Sequence, residues 1–273
     1  MRPELVARPI LRLHHLGMGP ALPTTADMLT FLDRMERQRA ARYATPSRAV
    51  PFVTGRYLLR LLAADLVKAD PRALVSDFTC AGCGRPRTRT VEAADAPPDT
   101  RSDHGRPGYL LDGEPLPLAL SLSRTADAVL LGALDLGALD LRALDLGESR
   151  RRDLRITGAR AARTSITETR ARGTGIGVDV DAMSGVVFEG FDDVALSDAE
   201  RNHVARLPRR EQDGARARLW VRKEALVKAR GTGFGWAGPA DVEVLTDPDI
   251  TDLEECDGVT LAHLGLVAAV AVV

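Results

Sequence analysis

Gly177-Val178-Asp179-Val180-Asp181 is the stretch on which the reading of this chain turns. Apolar and acidic residues alternate there with a period of two, which predicts a strand over Ile176–Val180. Asp179 and Asp181 then share one face, and Val178 and Val180 point the other way into a core. Two carboxylates held side by side repel each other, and a divalent cation is the usual relief. A hard oxygen pair with no His or Cys nearby favours Mg²⁺.

Downstream stands Trp220-Val221-Arg222-Lys223-Glu224-Ala225-Leu226-Val227-Lys228. It falls within a long helix predicted over Glu211–Ala229 and ended by Gly231. Glu224 and Lys228, spaced i, i+4, lie on one face, with Lys223 about 100° around the helix. Leu219, Trp220 and Val227 form the buried stripe behind. An isolated Glu-x-x-x-Lys is ordinarily a surface pair worth about 0.2–0.5 kcal/mol. Lysine usage argues for more. The only lysines are Lys68, Lys223 and Lys228, so 37 − 3 = 34 basic residues are arginine, and two of three lysines sit in one short segment. An ammonium is a compact charge that can give up a proton, whereas arginine stays charged.

Around these stretches, Ser197-Asp-Ala-Glu200 is a capping-box pattern opening a helix over Ser197–Leu207. Val242–Leu245 and Thr260–Val273 read as strands, the last so apolar that it belongs at the centre of its sheet. In the first half, helices are expected over Thr25–Arg42 and Val53–Lys68, then a loop over Thr79–Tyr109. Leu116–Ser123 and Ala128–Leu134, joined by a turn, read as a β-hairpin. Gly132-Ala-Leu-Asp-Leu then recurs from Gly137 and from Arg142, a period of five that fits neither strand nor helix. With the Arg-, Thr- and Gly-rich stretch after it, this reads as a low-complexity linker. The expected organisation is α+β: an N-terminal lobe over 1–134, a linker over 135–174 and a C-terminal lobe over 175–273.

Together, the two stretches match a family. A Gly-Val-Asp strand followed by Trp-x-x-Lys-Glu-Ala-x-x-Lys, with 224 − 179 = 45 positions between Asp179 and Glu224, resembles the Sfp-type 4′-phosphopantetheinyl transferases. Arg37-Gln-Arg39-Ala-Ala-Arg42-Tyr43 and Thr54-Gly55-Arg56-Tyr57-Leu-Leu-Arg60 are similar to that family's first two helices. Gly105-Arg106-Pro107 is similar to its Gly-Arg-Pro turn, and Leu120-Ser121-Leu122-Ser123 to its hairpin serines. The resemblance covers all but 135–174 and the extreme N-terminus. It implies a pseudo-twofold pair of lobes, each a small antiparallel sheet packed with helices, with coenzyme A in the cleft between them. The implied activity is transfer of 4′-phosphopantetheine from coenzyme A to a serine of an acyl or peptidyl carrier protein, releasing 3′,5′-ADP. By the same resemblance Asp179, Asp181 and Glu224 hold Mg²⁺ against the pyrophosphate, and Glu224, or a water it orients, takes the serine proton. Lys228 steadies the leaving group and Lys223 adds cationic support. Arg39, Arg48, Arg56 and Arg106 are candidates for the phosphates of coenzyme A, since arginine suits bidentate phosphate contacts. Ser123 joins them. Arg124 stands where the family usually has histidine, keeping a cation for the 3′-phosphate but a permanently charged one.

Composition narrows the alternatives. A net charge of −1 gives no global field for nucleic acid or an acidic membrane. No run of 18 apolar residues spans a bilayer, and Arg2, Arg8 and Arg12 interrupt the N-terminal apolar stretch, against a secretory signal. A cytoplasmic monomer serving fatty-acid, polyketide or nonribosomal-peptide carriers is the expectation. Cys80-x-x-Cys83, with His104 and Cys256, is half of a zinc pattern and lacks a second pair. Gly173-Thr-Gly175-Ile-Gly177 precedes its strand, so it is no dinucleotide fingerprint. Two competing readings are a degenerate homologue that binds carriers or coenzyme A without turnover, and an ATP-dependent Mg²⁺ enzyme, for which no P-loop or kinase signature exists.

Overall fold

A computed structural model describes residues 8–18, 21–78, 105–137, 174–186, 188–234 and 238–273. Strand β1 (Ile10–His15) precedes helices α1 (Thr25–Leu29), α2 (Arg34–Ala40) and α3 (Pro46–Val67). Strands β2 (Val75–Ser76), β3 (Tyr109–Leu111), β4 (Glu114–Pro115), β5 (Leu118–Arg124), β6 (Ala128–Asp135) and β7 (Ile176–Ala182) follow. Helices α4 (Phe191–Ala195), α5 (Asp198–Arg206) and α6 (Arg209–Arg230) lead to β8 (Ile250–Leu253), β9 (Glu255–Cys256), β10 (Val259–Thr260) and β11 (Leu266–Val272). The strand pairings are all antiparallel, so the chain mixes helices with small antiparallel sheets, an α+β composition.

Residue contacts divide the chain into one unit of Met1–Met18 with Pro117–Val273 and another of Gly19–Leu116. This grouping differs from the lobes read off the sequence, because the hairpin β5–β6 and β1 group with the C-terminal strands. Most of the expected linker (138–173) and of the long loop (79–104), with Cys80 and Cys83, lies outside the described residues.

The smaller unit is organised around Arg60. Its guanidinium is fully buried on α3, donates to Glu36 and to the carbonyls of Pro71 (3.0 Å) and Leu74 (2.5 Å), and lies over the Tyr109 ring. Burial pushes the Glu36 carboxyl above its ordinary range against the pull of Arg60. Asp33 explains why the helix expected over Thr25–Arg42 is two helices. It caps α2 in a capping box with Glu36 and also accepts the Ser76 N–H, so the chain breaks there. Helix α3 starts at Pro46, earlier than expected. Pro51 lacks an N–H, but it falls near the exposed start of the helix, where one missing bond is tolerated.

In the larger unit β11 is central, between β7 and β8. Its alternation feeds two cores. Val267, Ala269 and Ala271 pack with Leu219, Ala225, Leu226 and Ala229 of α6. Leu266, Ala268 and Val270 pack with Val178, Val180 and the hairpin residues Leu130 and Leu134. A strand apolar on both faces is what a buried central position requires. Glycines set the spacing of both contacts. A Cβ at Gly177 would lie 1.8 Å from the Ala225 carbonyl oxygen and 2.5 Å from the Ala229 nitrogen. One at Gly132 would lie 2.6 Å from Val178 Cγ1.

The strand expected over Val242–Leu245 does not form, and side chains explain why. Lys223 Nζ donates to the carbonyls of Val242 and Pro239 (3.0 Å to the latter), and Arg222 Nη1 to those of Val244 (3.0 Å) and Leu245 (3.1 Å). The Val244 N–H goes to Glu200 Oε1 at 3.1 Å. The backbone groups a strand would offer a neighbour are already satisfied, and β8 takes the place beside β11. Lys223 and Glu200 are both 0% exposed and pair at 2.7 Å. Glu200 is also the capping-box residue of α5, so one carboxylate ties α5, α6 and the 238–245 segment. Removing one partner of a buried pair strands the other charge. Lys223→Met is therefore expected to lower unfolding free energy by about 3–5 kcal/mol, measurable by urea denaturation. A loss below 1 kcal/mol would show that the pair is not a fixed part of the fold.

Candidate active site

Gly177, Asp179 and Asp181 alternate onto the face of β7 turned to α6. Because Gly177 has no Cβ, α6 lies close, and the next residue on that face meets the helix side chains. Lys228 Nζ lies 2.5 Å from Asp179 Oδ1 and 3.9 Å from Glu224 Oε2. The hairpin supplies the third side. Ser123 Oγ donates to Asp179 Oδ1 at 2.6 Å and lies 3.4 Å from Lys228 Nζ. Two residues earlier, Ser121 Oγ accepts the Val178 N–H at 3.0 Å. Asp181 accepts the N–H of Ala182 (2.8 Å), and Gly185 abuts it so closely that a Cβ there would lie 2.9 Å from Oδ1.

The electrostatics follow from burial. Asp179 is only 5% exposed, and burial pushes its carboxyl up, partly offset by Lys228 and Ser123 and reinforced by Asp181. Glu224 is half-buried and is also raised, first by burial and then, against Lys228, by the charges of Asp179 and Asp181. Three carboxylates and one ammonium thus act on one another, for a formal charge of −3 + 1 = −2. That is the complement of one divalent cation.

Among the described residues no three His, Cys, Asp or Glu side chains converge closely enough to form a ready cage for a metal. Mg²⁺ does not need one. It binds through one or two carboxylates, waters and substrate phosphates, and all-oxygen donors suit it. The carboxylates of Asp179, Asp181 and Glu224 are oxygen donors of that kind.

A raised Glu224 carboxyl binds its proton more tightly in the folded than in the unfolded chain. Stability then falls as pH rises from the ordinary glutamate range through the raised value. In metal-free buffer, wild-type stability relative to Glu224→Gln is expected to decline across that window. A pH-independent difference would contradict the raised carboxyl.

Lys223 is not brought to this cluster, because its ammonium is enclosed with Glu200. Arg124, next to Ser123 at the end of β5, is exposed. Arg39, Arg48, Arg56 and Arg106 belong to the smaller unit. There Arg48 and Arg106 are exposed, and Arg56 lies over the rings of Phe78 (3.4 Å) and Phe52 (5.3 Å). Cys256 is buried, its thiol pushed up to about 11 by burial, and His263 is exposed in a 3₁₀ turn. Sequence reasoning gave Ser121 no role. The available signal was its position two residues from Ser123 on the same strand.

Residues 175–266 match the family model of the 4′-phosphopantetheinyl transferase superfamily. The matched segment contains β7 and α6, and so Asp179, Asp181, Glu224 and Lys228. It supports a transferase. A search of curated proteins found no match to the chain. No helix among the described residues is long and apolar enough to cross a membrane.

Proposed function

We propose that this chain is an Sfp-type transferase that moves 4′-phosphopantetheine from coenzyme A to a serine of an acyl or peptidyl carrier protein, with Mg²⁺. The observation that carries this reading is the joint cluster of Asp179, Lys228 and Glu224 on β7 and α6, inside the segment that matches the superfamily.

In the reaction the serine Oγ forms a bond to the phosphorus that carries pantetheine. The bond from that phosphorus to the bridging pyrophosphate oxygen breaks, and 3′,5′-ADP leaves. Negative charge grows on the nonbridging and leaving oxygens, so fixed positive charge is the main catalytic requirement. Lys228, already held at the cluster, meets the pyrophosphate and steadies the leaving oxygen. Asp179, Asp181 and Glu224 would hold Mg²⁺, which would supply neutralisation of charge on the phosphate oxygens. Glu224 takes the serine proton directly or through a water. Lys223 keeps the helix placed and touches no substrate. Arg124, beside Ser123 on β5, supplies a cation for a remaining phosphate of coenzyme A. The carriers are those of fatty-acid, polyketide or nonribosomal-peptide synthesis, and the enzyme works as a cytoplasmic monomer.

Chelation tests the metal part. With coenzyme A and an apo-carrier, EDTA is expected to stop release of 3′,5′-ADP, and excess Mg²⁺ to restore it. Release that continues after exhaustive chelation would contradict the Mg²⁺ dependence.

A further inference from the structure

Asp179 is held in a lopsided way. Both of its side-chain partners, Ser123 Oγ at 2.6 Å and Lys228 Nζ at 2.5 Å, address the same oxygen, Oδ1. Among the described residues nothing hydrogen-bonds Oδ2. Ser123 is itself fixed. It pairs with Leu130 across the hairpin, is 8% exposed, and sits two residues from Ser121, which bonds the β7 backbone at Val178. The hydroxyl therefore comes from a strand already latched to the strand that carries the carboxylate.

We infer that Ser123 is a positioning residue: with Lys228 it commits Oδ1 of Asp179 to the protein, so that Oδ2 alone is presented to a divalent cation. The chemistry requires such a device. A free carboxylate turns about its Cβ–Cγ bond and offers either oxygen, whereas Mg²⁺ demands near-octahedral geometry at short distance. Groups that hydrogen-bond a ligating side chain fix its direction, and losing one typically lowers metal affinity by about 10–100-fold. The hairpin serine thus acts on the metal through Asp179. This role rests on the Mg²⁺-dependent reading of the site.

Mn²⁺, a hard divalent ion that Mg²⁺ sites accept, serves as the probe. Free Mn²⁺ is followed by electron paramagnetic resonance during titration of the full chain, with coenzyme A present and no carrier. Ser123→Ala is expected to bind Mn²⁺ about 10–100-fold more weakly than wild type, with an unchanged circular dichroism spectrum. Ser123→Thr, which keeps the hydroxyl, is expected to recover most of the loss, and Ser123→Val, of the same shape without it, none. The Thr and Val pair decides the matter if the alanine variant folds poorly. Ser121→Ala, which loses the bond to β7 backbone but leaves Asp179 its partners, is expected to keep wild-type affinity. Equal Mn²⁺ binding by wild type and Ser123→Val would overturn the role of Ser123. So would a Ser121→Ala loss as large as that of Ser123→Ala, because the hairpin's placement and not the hydroxyl would then be responsible. If the wild type takes up no Mn²⁺, the Mg²⁺ reading fails, and this inference with it.

Discussion

Asp179→Asn is expected to lower the rate of phosphopantetheine transfer about 10³-fold, with the protein still folded. Asparagine keeps an oxygen for Ser123 and Lys228 and nearly the same shape, so the strand and its contact with α6 persist. What it removes is one charge. The cluster goes from −2 to −1 and loses its most enclosed carboxylate. Rates on an apo-carrier at saturating coenzyme A, with a thermal melt alongside, check this. Wild-type turnover in the variant would mean that the reacting atoms lie elsewhere.

Gly177→Ala is expected to destabilise the chain by about 3 kcal/mol or more, or to prevent folding. The added methyl would point into backbone atoms, the Ala225 carbonyl oxygen at 1.8 Å and the Ala229 nitrogen at 2.5 Å, which cannot rotate away as a side chain could. The helix or the strand must shift, and either shift separates Asp179 from Lys228. Urea denaturation reads the stability, and any soluble fraction is expected to be inactive. A Gly177→Ala protein with native stability and activity would show that β7 and α6 do not pack this closely.

Much of the site was legible because it is local. Asp179 and Asp181 follow from a period of two, and Glu224 and Lys228 from one helical turn, so spacing alone puts each pair on one face. Lys223 was misplaced for a matching reason. Its angle on the helix is visible in sequence, but Glu200, the partner that encloses it, comes from another helix and is set by packing. The same network removed the strand expected over Val242–Leu245, since the hydrophobic pattern does not show that Lys223, Arg222 and Glu200 take its backbone groups. The break at Asp33 was hidden by a stripe of Met28, Phe31, Leu32 and Met35 that continues across it, while the cap depends on Ser76, far along the chain. The centrality of β11 was readable, because only a strand buried on both faces is apolar at successive positions.

The most direct measurement is the intact mass of an apo-carrier protein after incubation with this chain, coenzyme A and Mg²⁺, across fatty-acid, polyketide and peptidyl carriers. A gain of one phosphopantetheine arm on the carrier serine is expected, matched by release of 3′,5′-ADP and slowed about 10³-fold with Asp179→Asn. No mass gain on any of the three carrier types, with a folded protein that binds coenzyme A, would contradict it.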